Sequence, residues 1–330
     1  MSNPATPVSI IIACYNEEKY IGKKLEELFN PVNWIHDSEI IVVSNGCTDN
    51  SNKIIEGFTG RKELRFFRFE ERIGKIASVN FAVNKSVNEI LIFSDCRQSM
   101  NHGAIKNLIK NFDNSDVGTV SSTLLDENRT ISKVSPRKFI NWINLSESKT
   151  GTCMNVYGAL YAQRKSVFRE IPQHLLFDDL FVTISTLLQG KKVLQENKAR
   201  IFDVHFYEYY SSERIERLVR GLLIFLSKEW SMVKRLKLNY FILFMAHKYL
   251  KLLLPYLILI LFILSLVKIG TALAVPFLSF LILFYVLFRE KKNFLILFLR
   301  VNLHMILSTL KFIILRERSN DWRKLDSRYN

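Results

Sequence analysis

Four short apolar runs in the first 180 residues each stop on a polar cluster, and this repetition constrains the fold more than any other feature of the 330-residue chain. Ile90, Leu91, Ile92, Phe93 and Ser94 lead to Asp95. Residues 8–13 lead to Cys14, Tyr15, Asn16, Glu17 and Glu18, and residues 40–43 to Ser44, Asn45, Gly46, Cys47, Thr48 and Asp49. Leu175, Leu176 and Phe177 deliver Asp178 and Asp179. Continuous apolar runs of this length, separated by helical stretches, are the pattern of strands buried on both faces of a parallel sheet. Ligands of such sheets bind beyond the carboxyl ends of the strands, so the polar clusters are expected to converge on one crevice.

The helical stretches fit that plan. Ile21, Leu25 and Leu28 fall on one helix face; Thr48, Asp49 and Ser51 are candidate caps for the next helix; a third strand and helix follow over residues 88–112. No GxGxxG and no GxxxxGK occurs. A nucleotide bound to such a half-sheet would be held by side chains, with or without a metal, rather than by a glycine nest.

The C-terminal third has a different composition. Residues 250–267 and 271–288 are nearly uninterrupted apolar stretches, close to the ~20 residues that cross a bilayer, and are expected to form a membrane hairpin. Residues 294–315 have the length but carry Arg300, His304, Ser308 and Lys311 on one helical stripe. That stripe must face protein or water, or the helix must lie in the interface, so 294–315 is expected as an interfacial helix or a third span. The basic segments at 289–292 and 316–328 favour two spans, with both segments on the cytoplasmic side. Residues 1–7 have no cationic start and no apolar core of a signal peptide, so the N-terminal domain is expected in the cytosol, with a multi-pass region in the plasma membrane. Cys14, Cys47, Cys96 and Cys153 form no CxxC pair and suit a reducing compartment. The net charge of +15 is drawn partly from Arg214, Arg217, Arg220, Lys228, Lys234, Arg235 and Lys237, interleaved with leucines and Trp230. A basic amphipathic helix over 212–236 reads as a membrane-surface element, and no nucleic-acid recognition motif competes with membrane lipid as its partner.

The ordered set YNEE (15–18), SNGCTD (44–49), GKIASVN (74–80), SDCRQ (94–98) and the Asp178-Asp179 pair resembles a family 2 inverting glycosyltransferase of the GT-A fold, over about residues 8–221. The resemblance implies an α/β, GT-A-like nucleotide-sugar-binding domain with a mostly parallel central sheet over 1–236, followed by a membrane region over 237–330. It implies that Tyr15, Asn16, Glu17 and Asn45 line a nucleoside pocket and that Lys75 approaches the base or a phosphate. Asp95 would be the first acid of the DxD motif. Asp179, with Asp178 beside it, would be the base that deprotonates the acceptor hydroxyl. Arg217 and Arg220, in RIERLVRG where the family shows QxxRWxRG, would meet the diphosphate. Glu147 and the stretch around Gly158 and Ala159 would form the acceptor and sugar region. An inverting transfer needs these types: one base for the acceptor, and cations for the departing diphosphate.

Three departures from the family pattern stand out. Arg97 occupies the last position of DxD and cannot bind a metal, so either Asp95 holds Mg²⁺ or Mn²⁺ with the phosphates and another ligand, for which His205 is a candidate, or Arg97 itself neutralises the diphosphate. Ser44-Asn45 replaces the usual acid pair at the base-binding strand, which loosens the inference to uracil, and Leu218 replaces the Trp of processive synthases. The expected function is transfer of a sugar from a nucleotide donor, UDP-linked first, to a lipid-linked or cell-surface glycan. A polyprenyl-phosphate acceptor and a catalytically inactive nucleotide-sugar-binding subunit are the alternatives.

Overall fold

The computed structural model describes residues 6–126, 136–203, 212–250, 252–257, 260 and 292–314. Two compact units are present, Met1–Val204 and His205–Asn330, so the basic helix expected over 212–236 falls with the C-terminal unit.

In the N-terminal unit three of the four apolar runs are strands; the fourth, residues 175–177, is an irregular segment that leads directly into a helix, well short of the ~5–6 residues of a typical strand. β1 (Val8–Cys14), β2 (Glu39–Asn45) and β4 (Ile90–Ser94) are buried along almost their whole length and pair in parallel with β3 (Leu64–Phe69), in the order β3-β2-β1-β4. The helices between them are α1 (Ile21–Phe29), α2 (Ser51–Glu56) and α3 (Lys75–Lys85). Ile21, Leu25 and Leu28 of α1 are fully buried against the sheet, as their spacing requires.

The other half of the sheet changes direction. After β5 (Ser99–Met100), α4 (Ala104–Ile109), β6 (Val117–Asp126) and α5 (Pro136–Thr150), strand β7 (Leu160–Arg164) inserts antiparallel between β4 and β6. α6 (Asp178–Leu188) then leads to β8 (Lys192–Asp203), which runs parallel to β6 and antiparallel to β5. Among the described residues the sheet is therefore mixed, with four parallel and three antiparallel pairings where a mostly parallel sheet was expected. Parallel pairing is lost at β7 because α5 and the loop after it return the chain so that β7 enters beside Ser121 and runs towards Thr119, against the direction of β6. This reversal matters for the site: it continues the β4–β7 ladder until the backbone N–H of Asp95 donates to the Ala159 carbonyl at 3.0 Å.

The C-terminal unit contains α7 (Ser212–Lys228), α8 (Trp230–Lys234), α9 (Leu238–Phe244) and α10 (Lys292–Ile314). α10 packs on α7 through Val301 and Met305 against Ile215 and Val219, and Lys311 donates to Glu216 at 2.6 Å. Part of the polar stripe of 294–315 thus faces protein. Most of 250–267, and all of 271–288, lie outside the described residues, and among the described residues no helix is long and apolar enough to cross a membrane.

Candidate active site

The crevice beyond β1, β2 and β4 collects the polar clusters. Asn16 sits at φ 51°, in the left-handed region that asparagine tolerates, and is clamped to the β2 loop: its Oδ1 accepts the Thr48 N–H at 2.8 Å and its own N–H points to Cys47 Sγ at 3.4 Å. The Glu17 N–H donates to Ser51 Oγ at 2.8 Å, while Asp49 accepts from the backbones of Ser51 (2.9 Å) and Glu18 (3.1 Å). Burial works to raise the Asp49 pKa, but these hydrogen bonds outweigh it and hold the carboxyl below its ordinary value. Asn45, expected in the nucleoside pocket, is 3 % exposed, and its Oδ1 accepts the N–H groups of Ile73 (2.7 Å) and Gly74 (2.8 Å). It fixes the loop that introduces Lys75.

Lys75 is the centre of the arrangement. Its Nζ lies 3.1 Å from Asp95 Oδ1 and 3.4 Å from Asp178 Oδ2, joining the end of β4 to the start of α6 over a small cavity lined also by Ile11, Ala13, Phe93 and Gly158. Desolvation of the ammonium tip opposes its charge, although 48 % of the side chain is exposed, and the carboxylates of Asp178 and Asp95 prevail and hold its pKa above the ordinary lysine value. A β-carbon at Gly158 would stand 3.6 Å from Asp178 Oδ1 and 3.8 Å from Asp179 Cβ, so the 151–159 loop lies against the acid pair. Asp178 and Asp179 open α6, where their carboxylates accept the N–H groups of Asp179 (3.1 Å) and Leu180 (2.7 Å). A favourable acidic first turn of a helix and a place in the crevice therefore coexist in the same two residues. Glu147 reaches the same loop by accepting the Met154 N–H at 3.3 Å.

A second ion pair borders the first. Arg97 Nε donates to both carboxylate oxygens of Glu17, at 2.8 and 3.0 Å. Burial raises the Glu17 pKa above its ordinary value even though Arg97 opposes the rise. Tyr15 carries the guanidinium of Arg72 over its ring, 3.8 Å from the centroid. Arg72 was not among the expected site residues, and its only signal is a cation three positions before Lys75. Tyr161 was missed as well. Its ring stacks on Phe93 (4.5 Å between centroids), it is 1 % exposed, and burial together with the charges of Asp178, Asp179 and Asp95 raises its pKa. Nothing in the sequence sets a strand tyrosine apart from core.

Arg217 is exposed and Arg220 is buried; both belong to the C-terminal unit, and their diphosphate role rests on the motif alone. His205 lies outside the described residues. The described residues do not supply a metal's donor set by themselves. Asp95 offers one carboxylate, already paired with Lys75; Arg97 replaces the second; and among the described residues no group of three or more His, Cys, Asp or Glu side chains could hold a metal ion.

Comparison with known proteins agrees with this geometry. Residues 9–172 match the family model described as glycosyl transferase family 2. The chain carries a glycosyltransferase family 2 domain. Poly-beta-1,6-N-acetyl-D-glucosamine synthase of Staphylococcus epidermidis is 23 % identical over 250 residues, 72 % of this chain and 60 % of the relative. The chain thus spans about 60 % of the length of the curated relative it matches. Among solved structures, the mannosyltransferase PcManGT from Pyrobaculum calidifontis, in complex with GDP-Man and Mn²⁺, superposes with TM-score 0.73 at 19 % identity, over 94 % of this chain and 88 % of that one. A crystal structure of residues 1–349 of TarS from S. aureus gives 0.50 at 16 % identity, over 77 % and 79 %. These likenesses establish the GT-A-like α/β fold.

Proposed function

We propose that this protein is a membrane-associated, inverting glycosyltransferase that moves a sugar from a nucleotide donor, UDP-linked first, onto a lipid-linked or cell-surface glycan in polysaccharide synthesis. The observation that carries the reading is the convergence of Asp95, Lys75, Asp178 and Asp179 at the strand ends of a family 2 domain. In this reading Asp179 takes the proton of the attacking acceptor hydroxyl. Lys75 and Arg97 offset the charge that develops on the departing diphosphate, each exchanging a carboxylate partner for phosphate oxygens. Tyr15 and Asn16 border the nucleoside, and Gly158 and Ala159 border the sugar. The name of the S. epidermidis relative supports a polysaccharide product.

Membrane association is supported by the surface of the C-terminal unit. Lys234, Arg235 and Lys237 are exposed, and a stripe of exposed apolar residues follows: Leu238 (74 %), Ile242 (58 %), Leu250, Leu254, Leu257 and Ile260. A cationic start followed by an apolar stripe suits insertion from the cytosolic face of a plasma membrane. The same surface favours a lipid-linked acceptor over a soluble one.

The test is release of nucleoside diphosphate from UDP-, GDP- and dTDP-sugars by the detergent-solubilised chain supplied with membrane lipid, with and without EDTA, beside Asp179→Asn. The variant is expected to bind nucleotide as the wild type does and to lose on the order of 10²-fold or more in turnover. Unchanged turnover would overturn the base assignment. Wild-type protein that binds nucleotide but turns over no donor with any lipid extract would favour an inactive binding subunit.

A further inference from the structure

We infer that the catalytic unit has a lipid-docking face of its own, on the outer side of α5, formed by Phe139 and Trp142 and suited to an anionic phospholipid surface. The inward side of α5 is fixed by polar contacts that leave it little freedom to rotate. Arg137 donates to Asp203 at 2.7 Å in a buried ion pair, Asn141 donates to the Leu124 carbonyl at 2.9 Å, and the Asn141 carbonyl accepts from Tyr157 and Gln195, both at 3.0 Å. Asn144, one turn on, is fully buried. With that side inward, Phe139 and Trp142 point outward at helical spacing, 60 % and 63 % exposed, their rings stacked 5.9 Å apart at 23°. Two large aromatics exposed side by side are uncommon where nothing docks on them.

Charge selects the occupant. Lys138 and Lys149 are exposed on the same helix, and no acidic residue occurs from Pro136 to Ser146. Aromatic side chains bordered by cations match an anionic headgroup layer, with the rings at the boundary of the acyl chains and the ammonium groups among phosphates. A neutral glycan would gain nothing from the cations. It would also find one face of each ring already covered by the other, which weakens stacking on sugar.

The location gives the contact a consequence. Eight residues beyond Phe139, about 12 Å along the helix, Glu147 holds the Met154 N–H of the loop that lies against Asp178 and Asp179. Docking of this face would set the height of that loop above the lipid, where a lipid-linked acceptor presents its hydroxyl.

The full chain in bilayer nanodiscs tests this through Trp142 itself, whose emission is the difference between wild type and Trp142→Phe. Tail-brominated phosphatidylglycerol is expected to quench on the order of half of that emission and to shield it from acrylamide in water, with weaker quenching in phosphatidylcholine. Phe139→Ser/Trp142→Ser, at exposed positions, should leave the melting temperature unchanged. Trp142 emission open to acrylamide and untouched by brominated lipid overturns the inference, as does shielding by a soluble oligosaccharide in detergent, which would make the face a glycan platform. The quenching reads the same whether or not any donor turns over, so its failure is separable from failure of the proposed reaction.

Discussion

Arg97→Gln separates the structural from the chemical work of the residue that breaks the DxD pattern. The Arg97 guanidinium meets Glu17 at 2.8 Å, and the Glu17 side chain is only 14 % exposed whereas that of Arg97 is 47 % exposed. At an effective dielectric of about 20 the bare attraction at this distance is ~6 kcal/mol, but solvent around the half-exposed guanidinium screens it towards the ~1 kcal/mol of exposed pairs. Removing the cation while leaving a mostly buried carboxylate should therefore cost about 1–2 kcal/mol at pH 8, a fall of about 2–8 °C in the melting temperature of a unit this size. The pH dependence gives the sign. Burial already places the Glu17 pKa above its ordinary value of 4.5, and Arg97 lowers it. Without Arg97 the folded carboxyl takes up its proton at still higher pH than the unfolded chain does, so the stability deficit is largest above the folded pKa and shrinks as pH falls towards 4.5. Melting of wild type, Arg97→Gln and Glu17→Gln/Arg97→Gln between pH 5 and 8 measures this. The single variant should recover towards wild type at pH 5, and the double variant at every pH. A deficit that stays constant or grows on acidification would refute the reasoning.

Two further outcomes follow from the same loops. Gly46 adopts φ +69°, and a β-carbon there would meet the Arg72 nitrogen at 2.7 Å and the Glu71 carbonyl carbon at 2.9 Å, both backbone atoms. Gly46→Ala should cost about 2–4 kcal/mol and weaken nucleotide binding by displacing the loop that carries Lys75, and thermal melting at wild-type temperature would contradict it. The Cys47 thiol, beside Cys14 and partly buried, is held far above its ordinary pKa by both effects. Its alkylation by iodoacetamide should keep rising about tenfold per pH unit beyond pH 9 and slow when nucleotide is bound, whereas a plateau near pH 8.5 would show an ordinary thiol.

The parts legible in the sequence were those with a periodic or a local cause. The runs at 8–13, 40–43 and 90–94 became parallel strands because continuous burial leaves no polar face, and the crevice followed from where those runs stop. The reversal at β7 was not legible, since nothing in Leu160-Tyr161-Ala162-Gln163-Arg164 marks a strand direction and only pairing partners decide it. The same reversal brings Ala159 to Asp95, so the relation between the donor acid and the 151–159 loop is a tertiary fact with no local sign. Lys75 shows the same limit: its motif announced a cation near the nucleotide, but not that two carboxylates some 20 and 100 positions later would share it.

Arg97 is the instructive case, because a pattern read alone treats it as a defect. In the structure its guanidinium stands over the carboxylate of Glu17, which packing has removed from most of the solvent. An aspartate at 97 would place a second anion beside that carboxylate, and the pair would need an additional cation to remain charged. The arginine meets that requirement within the chain. Glu17 and Arg97 are therefore one electrostatic unit, and a change at either position is to be judged only with its effect on the other.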